Sequence, residues 1–432
     1  MPMNKLKTNT YKYLSFSAIF LSFFVLTGCT IPFLSKTPET VTLSYDSLWE
    51  PKGTYSDIIS KYEGSVPNVK ISYNDNSSSS LVSYKEDLLT RLRSGERVPD
   101  IMRIHVSWIP EFKEFLAPTV ISAKEFNDTY YPGVNAAVAE KVVGQEDYLV
   151  YGLPLYFDSL VLVYNKAHFE EEGIKNPPVN WEQFFRTSNF LTKKDSSGKV
   201  IRSGAAFGNP ELEFYTDIFG ILLSNSNLNF PKDLEKESSS LNSVLRVLNR
   251  QTDWSPSFGN AGNAFVARKT SMIIVPSWRV NDLLTANPGI ELGVAPLPSA
   301  SIDNPKIWPT YFVEVVPKKA KNPNESWKFL RYLTSEESAK DIYSKQASVR
   351  KLPSLPARKS LSTSIDIDSN LKVLSNYANN SNSTHLNGSS IVFSDRAGNN
   401  KCVETVKSYI KATESEDLVE GIGVIKTDCG LK

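Results

Sequence analysis

The residue whose chemistry is most sharply placed is Cys29, which ends Leu26-Thr27-Gly28-Cys29 behind the apolar run 14–26 and a basic start carrying Lys5, Lys7 and Lys12. Such a run is too short to cross a bilayer but has the length of a signal-peptide core. Small residues directly before a cysteine at the cleavage point match a lipobox, in which the thiol takes up a diacylglycerol and the cysteine becomes the new N-terminus, with palmitate among its acyl groups. The alternative is an ordinary signal peptide with an incidental cysteine. Two acyl chains suffice for stable anchoring, so the expected address is the extracytoplasmic face of a bacterial cell membrane. The remaining cysteines, Cys402 and Cys429, form an even pair in a compartment where disulfides persist, and a bridge between them would close a loop worth about 3 kcal/mol. Two free buried thiols are the other reading. Their spacing is unlike the Cys-x-x-Cys of a redox site.

Other reactive constellations are absent from the sequence. It contains no Gly-x-Ser-x-Gly elbow, His-Glu-x-x-His pair, phosphate loop or dinucleotide fingerprint, and His105, His168 and His385 lack metal-ligand spacing. No cofactor or metal is expected. Carboxylates are plentiful, but a glycosidase pair is defined by a separation in space that sequence does not carry. The balance favours binding over catalysis.

The chain has 432 residues with 48 basic and 47 acidic side chains. Loss of residues 1–28, with three lysines and no acid, leaves 404 residues at a net charge of −2. That length exceeds what one core fills, so two lobes are expected, and the near-neutral charge gives a nucleic-acid partner no support.

The elements follow from periodicity. Residues 30–41 hold two prolines and read as a tether, after which Val41, Leu43 and Tyr45 alternate as a strand. Leu81, Tyr84, Leu88 and Leu92 mark a helix that Ser94-Gly95 terminates, and 99–104 is a short buried strand. Leu160-Val161-Leu162-Val163-Tyr164 is apolar throughout, as expected of a strand buried on both faces. Asn180 caps a helix with Gln183 at its third position, and Met272-Ile273-Ile274-Val275 is another buried strand, broken at Pro276. Asn322, Pro323 and Glu325 predict a second capped helix, with Trp327, Leu330 and Leu333 on its inner stripe. Helices feeding strands in this order predict an α/β layered architecture.

Several stretches then carry a resemblance. Tyr151-Gly152-Leu153-Pro154 runs into Asp158 and Leu162-Val163-Tyr164-Asn165-Lys166. Phe169 to Gly173 and Pro177-Pro178-Val179-Asn180-Trp181-Glu182-Gln183-Phe184 follow, then Ala264-Phe265 and Met272 to Trp278. Gly293-Val294-Ala295-Pro296-Leu297-Pro298 and Ser326-Trp327-Lys328-Phe329-Leu330-Arg331-Tyr332-Leu333-Thr334 complete the series. In this order, over about residues 42–358, the chain resembles the extracellular solute-binding proteins of carbohydrate ABC transporters, the group that includes maltodextrin-binding protein. The segment Trp308-Pro309-Thr310-Tyr311 departs from that pattern, and the last 50 or so residues fit it less well.

The resemblance implies a two-lobed periplasmic-binding-protein fold of type II, with discontinuous lobes joined by hinge crossings near 156–160, 310–315 and 350–356. The N-lobe would comprise 42–155 and 316–352, and the C-lobe 160–309 and 356–432. It also implies capture of a carbohydrate by a monomer and delivery to permease subunits without chemical change. The alternatives are a binding protein for another solute, a lipid-anchored hydrolase, and a surface adhesin.

A pyranose offers an apolar C–H face that stacks on an aromatic ring and a rim of hydroxyls that needs donors and acceptors. Trp278, between a buried strand and a helix, matches the family's stacking tryptophan, against a reading as a core residue. Asp158 matches a position that accepts from sugar hydroxyls, against an interlobe salt bridge. Tyr156, His105, Trp108, Trp308 and Tyr311 follow strand ends that would face the cleft. Trp181 and Trp327, on amphipathic stripes, are expected in the core.

Overall fold

The computed structural model describes residues 39–207, 212–225, 252–299 and 306–380, with the further positions 247, 250, 382, 383, 404, 405, 408 and 424. Cys29, the signal segment, Cys402 and Cys429 lie outside the described residues. The elements below belong to the unit Val41–Lys432.

The first sheet is built from β1 (Val41–Ser47), β2 (Val69–Asp75) and β3 (Ile101–His105), with helices α1 (Lys52–Ser65) and α2 (Leu81–Ser94) in the connections. β1 lies between β2 and β3 and is parallel to both, which is why each connection carries a helix. α2 begins where Ser80 Oγ accepts from the Ser83 N–H and ends at Gly95, whose φ of 79° is left-handed. Its Leu81, Tyr84, Leu88 and Leu92 are buried, as their spacing predicts. A strand from far along the chain, Phe312–Val315, closes the other edge antiparallel to β3.

The central part of the chain contributes β4 (Tyr156–Phe157), β5 (Leu160–Asn165), α3 (Trp181–Leu191), β6 (Met272–Pro276), α4 (Arg279–Ala286) and β7 (Leu292–Ala295). β5 is the middle of a three-stranded sheet, antiparallel to β6 on one side and β7 on the other. Leu160 to Val163 are completely shielded. The register sets Gly293 opposite Tyr164, and a Cβ there would run into the phenol ring, so this close crossing favours glycine. At α3, Asn180 Oδ1 accepts from the Gln183 N–H as expected, but Gln183 reaches back to the Val179 N–H and not to that of Asn180, so the box is displaced by one residue. Trp181 packs against Phe184, Phe185 and Phe207.

The chain continues through β8 (Phe312–Val315), α5 (Pro323–Leu333), α6 (Glu336–Val349) and β9 (Leu355–Pro356). Trp327, Leu330 and Leu333 are buried. The expected Asn322 cap does not form: its side chain makes no capping bond, and its backbone N–H donates instead to Asp100 Oδ1 at 3.0 Å. Pro323 occupies the first helical position, where its fixed φ suits the start of a helix.

Three passages of chain connect the two sheets, and they are hydrogen bonded to one another. β4 pairs antiparallel with β9, while Leu160 N–H donates to the Trp308 carbonyl and Thr310 N–H to the Asp158 carbonyl. The second passage ends by Tyr311, because Phe312–Val315 is already a strand of the first sheet. This is the two-lobed periplasmic-binding-protein fold of type II.

Candidate functional site

A cavity of about 370 Å³ lies where the passages meet the ends of both sheets, a volume within the range typical of small-molecule sites. Trp49 and Glu50 follow β1, Arg103 belongs to β3, Tyr156 and Asp158 to the first passage, and Thr310 and Tyr311 to the second. Ser277, Trp278 and Asn281 come from the β6–α4 turn, and Arg350 follows α6.

One wall is ionic. Arg103 stands opposite Glu314 in the β3–β8 register, and its Nη1 lies 3.0 Å from Glu314 Oε1. The same nitrogen donates to Tyr55 OH at 3.1 Å, and that hydroxyl is 3.4 Å from Tyr156 OH. Burial raises the Glu314 carboxyl, and the adjacent guanidinium opposes that rise. Nearby, Glu50 Oε1 accepts from Arg350 at 3.3 Å and from Gln346 at 3.4 Å. Glu50 Oε2, Thr310 Oγ1 and Tyr311 OH are buried and have no hydrogen-bond partner among the described residues. Native structures leave few such atoms unpaired, since each costs about 1–3 kcal/mol. Burial also pushes the Tyr311 phenol far upward, so it remains an O–H donor.

The other wall is the tip of α4. Asp158 Oδ1 accepts from Ser277 Oγ at 2.5 Å, and Oδ2 from the Trp278 N–H at 3.1 Å. The carboxyl therefore ties the first passage to the turn that precedes α4. Desolvation raises it to about 7, against the opposing pull of those donors. Among the described residues Asp158 forms no ion pair, so the interlobe salt bridge weighed from sequence is not what holds it. Trp278 is half-buried, with Phe214 edge-on at 6.4 Å and the Arg279 guanidinium 5.7 Å from its ring. Asn281 Oδ1 accepts from the N–H groups of Lys351 and Leu352, fastening α4 to the third passage.

Of the residues expected to face a cleft, Trp278, Asp158, Tyr156 and Tyr311 line this cavity. His105 lines a smaller adjoining space of about 30 Å³, with its Nδ1 2.6 Å from Ser107 Oγ. Trp108 and Trp308 line neither. Trp108 is fully buried and stacked on Phe112, because the 3₁₀ turn Val106–Trp108 directs the ring inward. Trp308 is buried and donates from its indole N–H to Asp217 Oδ1 at 2.9 Å. Sequence reasoning missed Trp49, Glu50, Arg103, Thr310, Asn281 and Arg350 as lining residues. A signal existed for Arg103, a charge inside the apolar strand Ile101–His105, since a buried charge implies a partner. Among the described residues no group of three or more His, Cys, Asp or Glu side chains is placed to hold a metal ion.

The profile of the family described as bacterial extracellular solute-binding protein matches residues 47–340. A Brucella abortus protein named only as a binding protein is 26% identical over 202 residues, which are 43% of this chain and 47% of that one. The chain thus matches about half the length of that relative. The multiple sugar-binding protein of Streptococcus mutans is 23% identical over 335 residues, 74% of this chain and 77% of that protein. The crystal structure of a cyclo/maltodextrin-binding protein complexed with maltotetraose superimposes with a TM-score of 0.66 at 15% identity, covering 89% of this chain and 96% of that one.

Proposed function

Because this chain belongs to the bacterial extracellular solute-binding protein family, we propose that it captures a carbohydrate in the cavity between its two lobes and hands it, chemically unchanged, to the permease of an ABC transporter. The observation that carries this reading is the juxtaposition of Glu50 Oε2, Thr310 Oγ1 and Tyr311 OH, all buried and without partners among the described residues, with the half-buried ring of Trp278. Two acceptors, a phenolic donor and an aromatic face match the hydroxyl rim and C–H face of a sugar ring. The sugar-binding relative from Streptococcus mutans supports the same reading.

The cavity's charges argue against an anionic solute. Arg103 is paired with Glu314, Arg350 with Glu50, and the neighbouring Arg279 with Asp282 and Glu213. Each of these guanidinium charges already has a carboxylate partner, so a neutral polyhydroxyl ligand is favoured. A hydrolase would need one carboxyl to act on a bond while a second carboxyl or water attacks, whereas both oxygens of Asp158 are engaged with Ser277 Oγ and the Trp278 N–H. The lobe bounds proposed from sequence and the anchoring of the mature chain through Cys29 complete the reading. No helix among the described residues is long and apolar enough to cross a membrane.

A thermal-shift screen against neutral saccharides tests the function. A ligand at 100 times its dissociation constant should stabilise the protein by about 2.7 kcal/mol. Stabilisation by sugar phosphates and not by neutral sugars, or new reducing ends after incubation, would overturn it. Cys29→Ser should release the protein from membranes, and unchanged retention would refute the anchor.

A further inference from the structure

Trp49 is held in a strained conformation at the site. Its φ is 57°, in the left-handed region that bulky side chains avoid, and its side chain is 41% exposed although it is a large aromatic. The neighbours on both sides explain how the conformation is held. Leu48 is fully buried; Glu50 is buried, with its carbonyl accepting from Tyr73 OH at 2.6 Å and its carboxylate tied to Arg350. With residues 48 and 50 pinned, the backbone at 49 must turn outward, and the indole is delivered to the cavity edge. There it lines both the main cavity and the smaller adjoining space, with only the edge of Phe312 at 6.0 Å as a ring contact among the described residues. Backbone strain of this kind persists where the surroundings over-determine it, and it concentrates at ligand clamps.

We infer that Trp49 is a specificity-determining residue, an aromatic platform at the mouth of the cleft that stacks on the second unit of a bound saccharide, so that the preferred ligand is a disaccharide or longer. This rests on the carbohydrate reading above. A single sugar ring within the cavity meets Trp278, Thr310 and Tyr311. A ligand that continues toward solvent meets the exposed face of Trp49, and this face is otherwise a poor use of a strained residue. A packing role predicts something different. Trp49 would then be worth more to stability than to binding, although two fifths of its surface is in water.

The test is calorimetric titration of the full chain with mannose, mannobiose, glucose and maltose, for the native protein, Trp49→Gly and Trp49→Phe, beside thermal melting of each. Glycine adopts the left-handed conformation without penalty, so Trp49→Gly should melt at or above the native temperature. Its affinity for the disaccharide that binds should fall roughly tenfold to hundredfold. The loss for the matching monosaccharide should be smaller, and Trp49→Phe should recover part of the difference. Native protein that binds monosaccharides as tightly as disaccharides, or Trp49→Gly with unchanged preference, would overturn the role of Trp49 and leave the carbohydrate reading standing. A Trp49→Gly variant that melts several degrees lower and binds normally would make Trp49 a packing residue. Native protein that binds none of the four, nor any other neutral saccharide, would overturn both.

Discussion

The two walls of the cavity are built on opposite principles. On one, Arg103, Glu314, Glu50 and Arg350 neutralise one another across β3, β8, the end of β1 and the end of α6. On the other, Asp158 holds a turn through Ser277 Oγ and a backbone N–H, with no ion pair among the described residues. The ionic wall joins segments remote in sequence and cannot shift without exposing a desolvated charge. The α4 wall also joins remote segments, but through hydrogen bonds of Asp158 and Asn281 without an ion pair, so it is the side better able to adjust as the lobes move about the passages. A rigid frame thus faces an adaptable aromatic tip.

The largest effect expected from breaking this contrast is at the ionic wall. Glu314→Gln strands the Arg103 guanidinium in the interior and should destabilise the protein by about 3–5 kcal/mol, read from denaturant melts. Pairing it with Arg103→Met should recover much of the loss, and a single variant as stable as the native protein would mean that the pair is not structurally required. The tryptophans separate packing from binding in the same way. Trp108→Ala should remove about 3–5 kcal/mol of stability through its cavity, whereas Trp278→Ala should weaken saccharide affinity by about 1–3 kcal/mol with a smaller effect on folding. Melting and titration of both variants decide it, and a Trp278→Ala protein that binds normally would remove Trp278 from the site.

The Asp158 wall should reveal itself through pH. Its carboxyl titrates near 7 when folded and at about 3.9 in the unfolded chain, so the native state holds the extra proton between those values. Its contribution is complete below about pH 4 and is lost as pH rises through 7. The native protein should therefore lose on the order of 2–4 kcal/mol relative to Asp158→Asn between pH 4 and 8. Parallel stability curves for the two would show that Asp158 ionises normally. The smallest effect concerns Thr310, whose hydroxyl has no partner among the described residues, so Thr310→Val should be neutral or slightly stabilising in free protein and about 1 kcal/mol weaker for the saccharide. A destabilised variant with intact affinity would place the Thr310 hydroxyl in the folded framework.

Much of the fold was legible because its signals are local. The period of Leu81, Tyr84, Leu88 and Leu92, the Gly95 stop, the Asn180 cap and the apolar runs of β5 and β6 act within one turn or one strand, where neighbouring residues suffice. Trp278 was legible for a related reason: a turn that closes a buried strand ends at a sheet edge. Trp108 and Trp308 also follow strands, yet a 3₁₀ turn buried one and Asp217 engaged the other. Type and position suggested exposure for both, while the side-chain direction came from contacts distant in the chain.

The amino-acid sequence alone determined the family resemblance and the α/β order of elements, since these depend on periodicity and on motifs in succession. Tertiary structure decided which polar atoms meet. Arg103 finds Glu314 from 211 positions away, Glu50 finds Arg350 from 300, and the strained Trp49 is turned outward by those anchors. A buried charge or an orphaned hydroxyl is defined by what the rest of the chain withholds from it or brings to it, and such distances arise only when separate elements pack.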